Sequence, residues 1–467
     1  MTDAYRPIYS RSEQHSTRER NLLLARQLVN ALVLFQFMTV LLFLSMLVGP
    51  VRFYTSDVGL AIFLAGTAWI TTVIPVSGEP VRMWGLPTRL LFSLFAIILL
   101  TNVFTYHPQN SLNASLNWLR ASLFYWALTS LARRDLLTFK TISMAAFWSW
   151  CLEAAVGSIQ IVTKQPIGLV ANYFGTSANE QVDYSLSAAD LVWRVSGTHH
   201  HPIVFGLWIA TLAMLGYAFL GGKRGGWAKL MRYLILPTTG LLLFASLTRG
   251  TLMFFIAELG VFYLCTIIST KRINIYLVGA GCAILLAAAW YAYHVVTSSR
   301  GLGNLFVLAT RFSQSEDDLR WNFIRQGFTL LRHRPLLWLT GTGSDAMYPA
   351  ALQEGVYDKV TLNWQNLSNT AFGIHNMYLK MLVENGVVAG FLFALLHIRV
   401  VLRALGRAFT GGTNDAVLAS ITVGWFLAFS VYMEIYQPEY SLFMVSVIAL
   451  IAMPAVQGMP QTSGAHS

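Results

Sequence analysis

Long apolar runs joined mostly by short polar connections dominate this chain. Runs near the length that crosses a ~30 Å hydrocarbon core fall at 28–49, 58–76, 90–106, 114–131, 141–162, 202–220, 233–247, 251–269, 274–296, 387–402, 416–433 and 441–456. The pattern predicts an all-α polytopic membrane protein with about twelve transmembrane helices. The runs at 90–106, 233–247, 387–402 and 441–456 are short, which leaves re-entry open for one of them. Two connections are long, Thr163 to His201 and Thr297 to Ile374, and function is expected to concentrate there. In the longer one an amphipathic helix is predicted over Asp317–Leu331, with Leu319, Phe323, Gln326 and Leu330 on one side. Arg334-Pro335 and the turn Gly341-Thr342-Gly343 close it.

Composition agrees with this class: 55% of residues are hydrophobic, 11% are charged, and the mean hydropathy is +0.55. The net charge of +11 would suit nucleic acid, but its distribution argues otherwise. Arg6, Arg11, Arg18, Arg20 and Arg26 precede the first span, and every even-numbered connection is basic: Arg82 and Arg89; Arg133, Arg134 and Lys140; Lys223, Arg224, Lys229 and Arg232; Lys271 and Arg272; Arg399, Arg403 and Arg407. This is the positive-inside pattern, with both termini cytoplasmic and the basic residues facing membrane lipid headgroups rather than nucleic acid. The expected organisation is a cytoplasmic tail (1–27), nine helices (28–296) interrupted by a periplasmic loop at 163–201, a long periplasmic loop with an interfacial helix (297–386), three helices (387–456) and a cytoplasmic tail (457–467). No cleavable signal peptide is expected, and the first run reads as a signal anchor. Cys151, Cys265 and Cys282 lie inside predicted spans, where packing is their expected role.

The segment His375-Asn376-Met377-Tyr378-Leu379-Lys380-Met381-Leu382-Val383-Glu384-Asn385-Gly386 joins the long loop to an apolar run. At helical spacing His375, Leu379, Leu382 and Gly386 share a stripe, and Lys380 and Glu384 are expected on a solvated opposite side. The positive end of a helix dipole favours neutral imidazole and so its use as a proton acceptor. A helix-capping His-Asn pair is the alternative.

Arginines on the predicted outer side need anionic partners. Arg249 lies in the tight turn Ser246-Leu247-Thr248-Arg249-Gly250, and Arg194 in Trp193-Arg194-Val195-Ser196-Gly197-Thr198-His199-His200-His201-Pro202, just before the sixth span. Lipid headgroups would suffice; so would a diphosphate, because each forked guanidinium binds two oxygens and keeps its charge. Arg120, Arg320 and Arg325 are further candidate substrate contacts, as are His201, Asn376 and Glu316. The run Glu316-Asp317-Asp318 either complements a helix dipole or touches a saccharide. Adjacent histidines on a helix project about 100° apart, so the run 199–201 is poorly suited to one metal ion; no metal or cofactor is expected. Glu153 and Glu258 lie within spans, without a partner identifiable from sequence.

Trp193 to Thr198 with His201-Pro202 and Phe205-Gly206, the Ser246–Gly250 turn, Pro335 with Gly341-Thr342-Gly343, and His375-Asn376 followed after ten intervening residues by Gly386 occur in this order. Together they resemble the O-antigen ligase and O-antigen/exopolysaccharide polymerase family over roughly residues 190–400. The resemblance implies an inverting, metal-independent glycosyltransferase on the periplasmic face of the bacterial inner membrane. Its donor would be an undecaprenyl-diphosphate-linked oligosaccharide, and its acceptor a saccharide (polymerase) or lipid A core (ligase). It also implies that Arg194 and Arg249 hold the diphosphate, that His375 activates the acceptor hydroxyl, and that a chain-length regulator is a candidate partner. The triple histidine and Thr198 depart from the ligase pattern, which leans the reading toward polymerase. A flippase for lipid-linked glycans or a secondary transporter is the rival from another class, although such proteins place their polar sites near the midplane.

Overall fold

A computed structural model describes residues 11–41, 45–48, 51–73, 85–163, 195–199, 202–246, 248–270, 316–356, 374, 376–430 and 438–453, with the backbone alone at 11–18, 45–53, 73, 86, 202, 249, 270, 316–322 and 438–443. Its helices are α1 (Arg11–Leu41), α2 (Thr55–Val73), α3 (Gly85–Thr101), α4 (Pro108–Arg133), α5 (Phe139–Thr163), α6 (Pro202–Gly221), α7 (Gly226–Ala245) and α8 (Arg249–Thr270), then α9 (Glu316–His333), α10 (Leu337–Thr340), α11 (Met347–Gln353), α12 (Met377–Thr410), α13 (Thr413–Phe429) and α14 (Pro438–Ala452). Among the described residues, seven stretches are long and apolar enough to cross a membrane: Glu19–Leu41, Pro87–Phe104, Phe139–Thr163, Ile203–Gly221, Gly226–Ala245, Gly250–Ser269 and Met377–Thr410. Helices coincide with every expected span except 274–296, which lies outside the described residues. α4 is long but carries buried Asn117 and Arg120, and α13 is apolar but shorter.

The first span departs from expectation. α1 stops at Leu41, and an antiparallel hairpin follows, β1 (Ser45–Val48) paired with β2 (Val51–Tyr54), Val48 opposite Val51. Pro50 cannot continue a helix, and Val51, Phe53 and Tyr54 are β-branched or aromatic residues that favour an extended chain. The Thr55 hydroxyl donates to the Thr39 carbonyl at 3.1 Å, tying the top of α2 to α1.

α6 is the central helix, buried from Val204 to Ala218, and packs against α5 and α7. α13 packs on both α8 and α12, with Trp425 Nε1 donating to Thr211 of α6 at 3.0 Å. The connection after α4 and the end of α12, both expected on the basic side, lie at one end of the bundle. There Arg26 pairs with Asp135 at 2.6 Å, and Arg407 pairs with Asp415 at 2.6 Å. Arg407 and Arg403 also donate to carbonyls at the end of α14, Arg403 Nε to Ile451 at 3.1 Å and Arg407 Nη1 to Met453 at 2.8 Å. Guanidiniums on the last carbonyls of a helix satisfy acceptors that have no donor of their own and oppose the negative dipole end.

At the other end, α9, α10 and α11 form a cap with its own small apolar core: Leu330, Leu331, Leu337, Met347, Ala350, Ile374 and Val383. The amphipathic side expected for α9 is buried, as Phe323, Gln326 and Leu330 show. A polar clasp joins the cap to the α3–α4 connection. Tyr106 Oη donates to Glu354 Oε1 at 2.8 Å, and Arg334 Nε donates to Glu354 Oε2 at 2.8 Å. The bonds from Arg334 and then Tyr106 hold the Glu354 carboxyl below the usual carboxylate range, while burial and the same carboxylate push the Tyr106 phenol up.

A depressed carboxyl stabilises the folded state above its unfolded value of about 4.3, and that contribution disappears as pH falls through the folded value. Protection of the Met347–Gln353 amides, measured relative to the intrinsic exchange rate at each pH, is therefore expected to fall as pH drops from neutral to about 3. In Glu354→Gln protection is expected to be lower at neutral pH and free of that acid dependence.

Candidate functional site

α12 is two helical segments separated by one residue. Gly386 has φ 80° and ψ 170°, so Met377–Asn385 forms a first segment and Val387 onward a second. The strap Gly341-Thr342-Gly343 lies against the break. Thr342 N–H donates to the Val383 carbonyl at 3.2 Å and Gly343 N–H to the Glu384 carbonyl at 2.8 Å, supplying donors to carbonyls at the end of the first segment. Only glycine fits at two of these positions. A Cβ on Gly386 would sit 2.3 Å from the Leu339 carbonyl oxygen, and one on Gly341 (φ 67°) 2.1 Å from that of Glu384.

The side of α12 expected to be solvated is instead buried: Lys380 is 3% exposed and Glu384 1%. The strap and α10 cover it, and its charges meet Asp345. Lys380 Nζ lies 3.2 Å from Asp345 Oδ1 and 3.8 Å from Glu384 Oε1, and Asp345 N–H donates to Glu384 Oε2 at 2.8 Å. Asp345 itself sits at φ 55°, a left-handed conformation that aspartate enters more readily than most residues. Asn110 Nδ2 donates to its carbonyl at 3.0 Å. A hydroxyl and amide chain continues beneath. Ser344 Oγ donates to Asn385 Oδ1 at 2.6 Å, Ser111 Oγ to the Ser344 carbonyl at 2.8 Å, and Ser344 N–H to Asn102 Oδ1 at 2.7 Å. Buried polar atoms require such pairing.

A second irregular segment, 195–199, lies at the same end of the bundle, held by α5. Gln160 Oε1 accepts from Ser196 N–H at 3.1 Å and Gly197 N–H at 2.9 Å, and Gln160 Nε2 donates to the Gly197 carbonyl at 2.7 Å. Glu153 accepts from Thr198 N–H at 3.0 Å and from the Thr198 hydroxyl, and lies 3.6 Å from His199 Nε2. Glu153 thus serves as a backbone clamp that sequence alone did not identify. Val195 N–H donates to the Ala245 carbonyl at 3.3 Å, placing this segment at the end of α7 and beside the turn into α8. In that turn Thr248 Oγ1 donates to the Ser246 carbonyl at 3.2 Å, and α8 begins at Arg249.

The candidate residues fall into three groups. His375, Arg194 and His201 lie outside the described residues, adjacent to described Asn376, Val195 and Pro202 respectively. Arg249, Arg320 and Glu316 are placed by backbone, Arg249 opening α8, Glu316 opening α9 and Arg320 in its second turn. Arg120, Arg325 and Asn376 have described side chains. Arg120 Nε pairs with Asp57 Oδ1 at 2.6 Å, its Nη2 donates to Asp57 Oδ2 at 2.8 Å, and its guanidinium lies 5.3 Å from the Tyr54 ring centre, so the fold already supplies its anion. Arg325 is exposed on α9. Asn376 caps α12, its Oδ1 accepting from Leu379 N–H at 3.0 Å while its Nδ2 donates to the Ser430 carbonyl at 2.9 Å. The capping role left open for the His-Asn pair thus falls to Asn376. Among the described residues no His, Cys, Asp and Glu side chains group as a metal site. Glu258 is buried against α13, with its Oε1 2.3 Å from where a Cβ on Gly424 would be.

Residues 233–394 match the family model described as O-Antigen ligase, which supports an O-antigen ligase family assignment for this membrane protein. No curated protein matches the chain. The match covers roughly a third of the sequence, from α7 through the break in α12.

The buried charge cluster has a measurable consequence. Lys380→Met leaves two carboxylates without their cation and is expected to cost about 3–5 kcal/mol. Adding Glu384→Gln is expected to recover part of that loss, read from unfolding in detergent. Gly386→Ala should cost about 1–3 kcal/mol from backbone strain alone, and speed amide exchange in Met377–Asn385.

Proposed function

We propose that the chain is a multi-pass glycosyltransferase of the O-antigen ligase and polymerase type, moving a glycan from undecaprenyl diphosphate to an acceptor hydroxyl on the periplasmic face of the inner membrane. The observation that carries the reading is the bond from Val195 N–H to the Ala245 carbonyl, because it brings the segment after Arg194 to the turn that leads into Arg249. Arg249 opens α8, where free N–H groups and the positive dipole end add to a guanidinium. Such a site suits a diphosphate.

In this mechanism the acceptor oxygen forms a bond to the anomeric carbon as the bond from that carbon to the phosphate oxygen breaks. Attack from the opposite face inverts the centre. Arg194 and Arg249 stabilise the negative charge gathering on the departing undecaprenyl diphosphate, and the hydroxyl proton passes to His375. His375 directly precedes the Asn376 cap of α12, and the positive dipole end there favours its neutral form. No metal is assigned a step. Arg320, Arg325 and Glu316 on α9, with His201 before α6, are proposed saccharide contacts. The polymerase reading, with the end of another lipid-linked glycan as acceptor, rests on the sequence departures at Thr198 and His199-His200-His201.

Reconstitution with undecaprenyl-diphosphate repeat units tests this. Ladders of product from donor alone identify a polymerase, transfer that requires added lipid A core identifies a ligase, and no transfer under either condition sinks the proposal. His375→Ala is expected to lower kcat about 10²–10⁴-fold, and Arg249→Ala about 10²–10³-fold. Full activity in either variant would remove its assigned role, and loss of activity in chelator would overturn the metal-independent mechanism.

A further inference from the structure

The corner between α9 and α10 exposes two large apolar side chains. Leu336 is 68% exposed and Leu339 64%. They are three residues apart on one side of the short helix, while Leu337 turns the other way into the cap core. Nothing in that core needs the two exposed leucines.

Their position identifies what covers them. The Leu339 carbonyl abuts Gly386, the residue at which α12 starts its second segment. Just beyond it Val387, Val388 and Phe391 are exposed on a helix apolar enough to cross a membrane, so they face lipid. Leu336 and Leu339 therefore continue a lipid-facing surface at the depth where it meets the headgroups. Arg332 is exposed in the last turn of α9, immediately before the corner. A basic side chain next to two exposed leucines is the composition of an interfacial anchor, with apolar groups among the upper acyl carbons and the cation at phosphate level.

We propose that the corner from Arg332 to Leu339 is a membrane-interface anchor for the cap, seating Leu336 and Leu339 in the leaflet that surrounds the start of the second segment of α12, with Arg332 on lipid phosphate. The anchor fixes the height of the cap above the bilayer. Because α10 rests on Gly386, it also ties the leaflet to the break in α12. This inference is independent of the catalytic proposal.

Environment-sensitive fluorophores on Leu336→Cys, Leu339→Cys and Gln353→Cys test it, in the full chain with Cys151, Cys265 and Cys282 replaced by alanine, one copy per nanodisc. The lipids are phosphatidylethanolamine and phosphatidylglycerol, with a nitroxide-bearing lipid as membrane quencher and iodide as aqueous quencher. The labels at 336 and 339 are expected to be quenched by the nitroxide lipid and to lose iodide quenching, with the reverse at the exposed residue 353. Adding Arg332→Gln should weaken the nitroxide quenching, and more so in discs containing phosphatidylglycerol than in purely zwitterionic ones. Iodide quenching at 336 and 339 equal to that at 353 overturns the proposal. So does shielding from both quenchers, which would mean a protein cover, and so does shielding that arises only with two copies per disc.

Discussion

The break in α12 at Gly386 is the constraint on which the cap depends. A helix that ends within a bundle leaves carbonyls without donors, and in a low-dielectric setting each costs far more than it would in water. Here Thr342 and Gly343 provide those donors from a strap more than thirty residues earlier in the chain. The first segment of α12 consequently belongs to the cap as much as to the membrane bundle. Val383 contributes its carbonyl to the strap and its side chain to the cap core, and Asn385 joins the chain of hydroxyls and amides that runs through Ser344.

The buried charges follow from the same arrangement. Once the strap covers the side of α12 bearing Lys380 and Glu384, neither can reach water, and each must find its counterpart in the cap. Asp345 meets both, one through its carboxylate and the other through its N–H. A comparable device holds 195–199, where Gln160 and Glu153 on α5 receive the N–H groups of a non-helical segment. Irregular backbone at both places is tolerated because side chains projecting from long helices complete its hydrogen bonds. Glu258 is different in kind: its carboxyl lies against a glycine of α13, and Oε2 has no hydrogen-bond partner among the described residues.

Features set by local pattern were legible in the sequence. The apolar runs, the amphipathic α9 and the start of α6 at Pro202 each follow from residue type and spacing within a single element. Features set by distant partners were not. Helical periodicity separates Lys380 and Glu384 from Leu379, but periodicity cannot say that a strap will cover that side. Arg120 looked available to a substrate because Asp57, sixty-three residues away, could not be paired with it from spacing alone. The β-hairpin was hidden by hydrophobicity, since an apolar strand and the end of an apolar helix have the same composition, and only Gly49-Pro50 marked the stop. Glu153 stood out as an ionisable residue within a span, but its partner Thr198 lies forty-five residues on.

At both ends of the bundle the fold supplies partners to basic side chains, and that bears on the proposed chemistry. At one end Arg403 and Arg407 are absorbed by the carbonyls that finish α14 and by Asp415, a structural use that needs no ligand. Arg120, toward the other end, is likewise neutralised by Asp57. What distinguishes Arg249 is its place on the backbone: it opens a helix rather than closing one, so the dipole adds to its charge where an arginine at a helix C-terminus would oppose it. A helix start has N–H donors to offer an anion. The bond between Val195 and Ala245 keeps the segment following a second arginine close by. In the proposed reading that pairing suits the compact charge of a diphosphate rather than an extended polyanion.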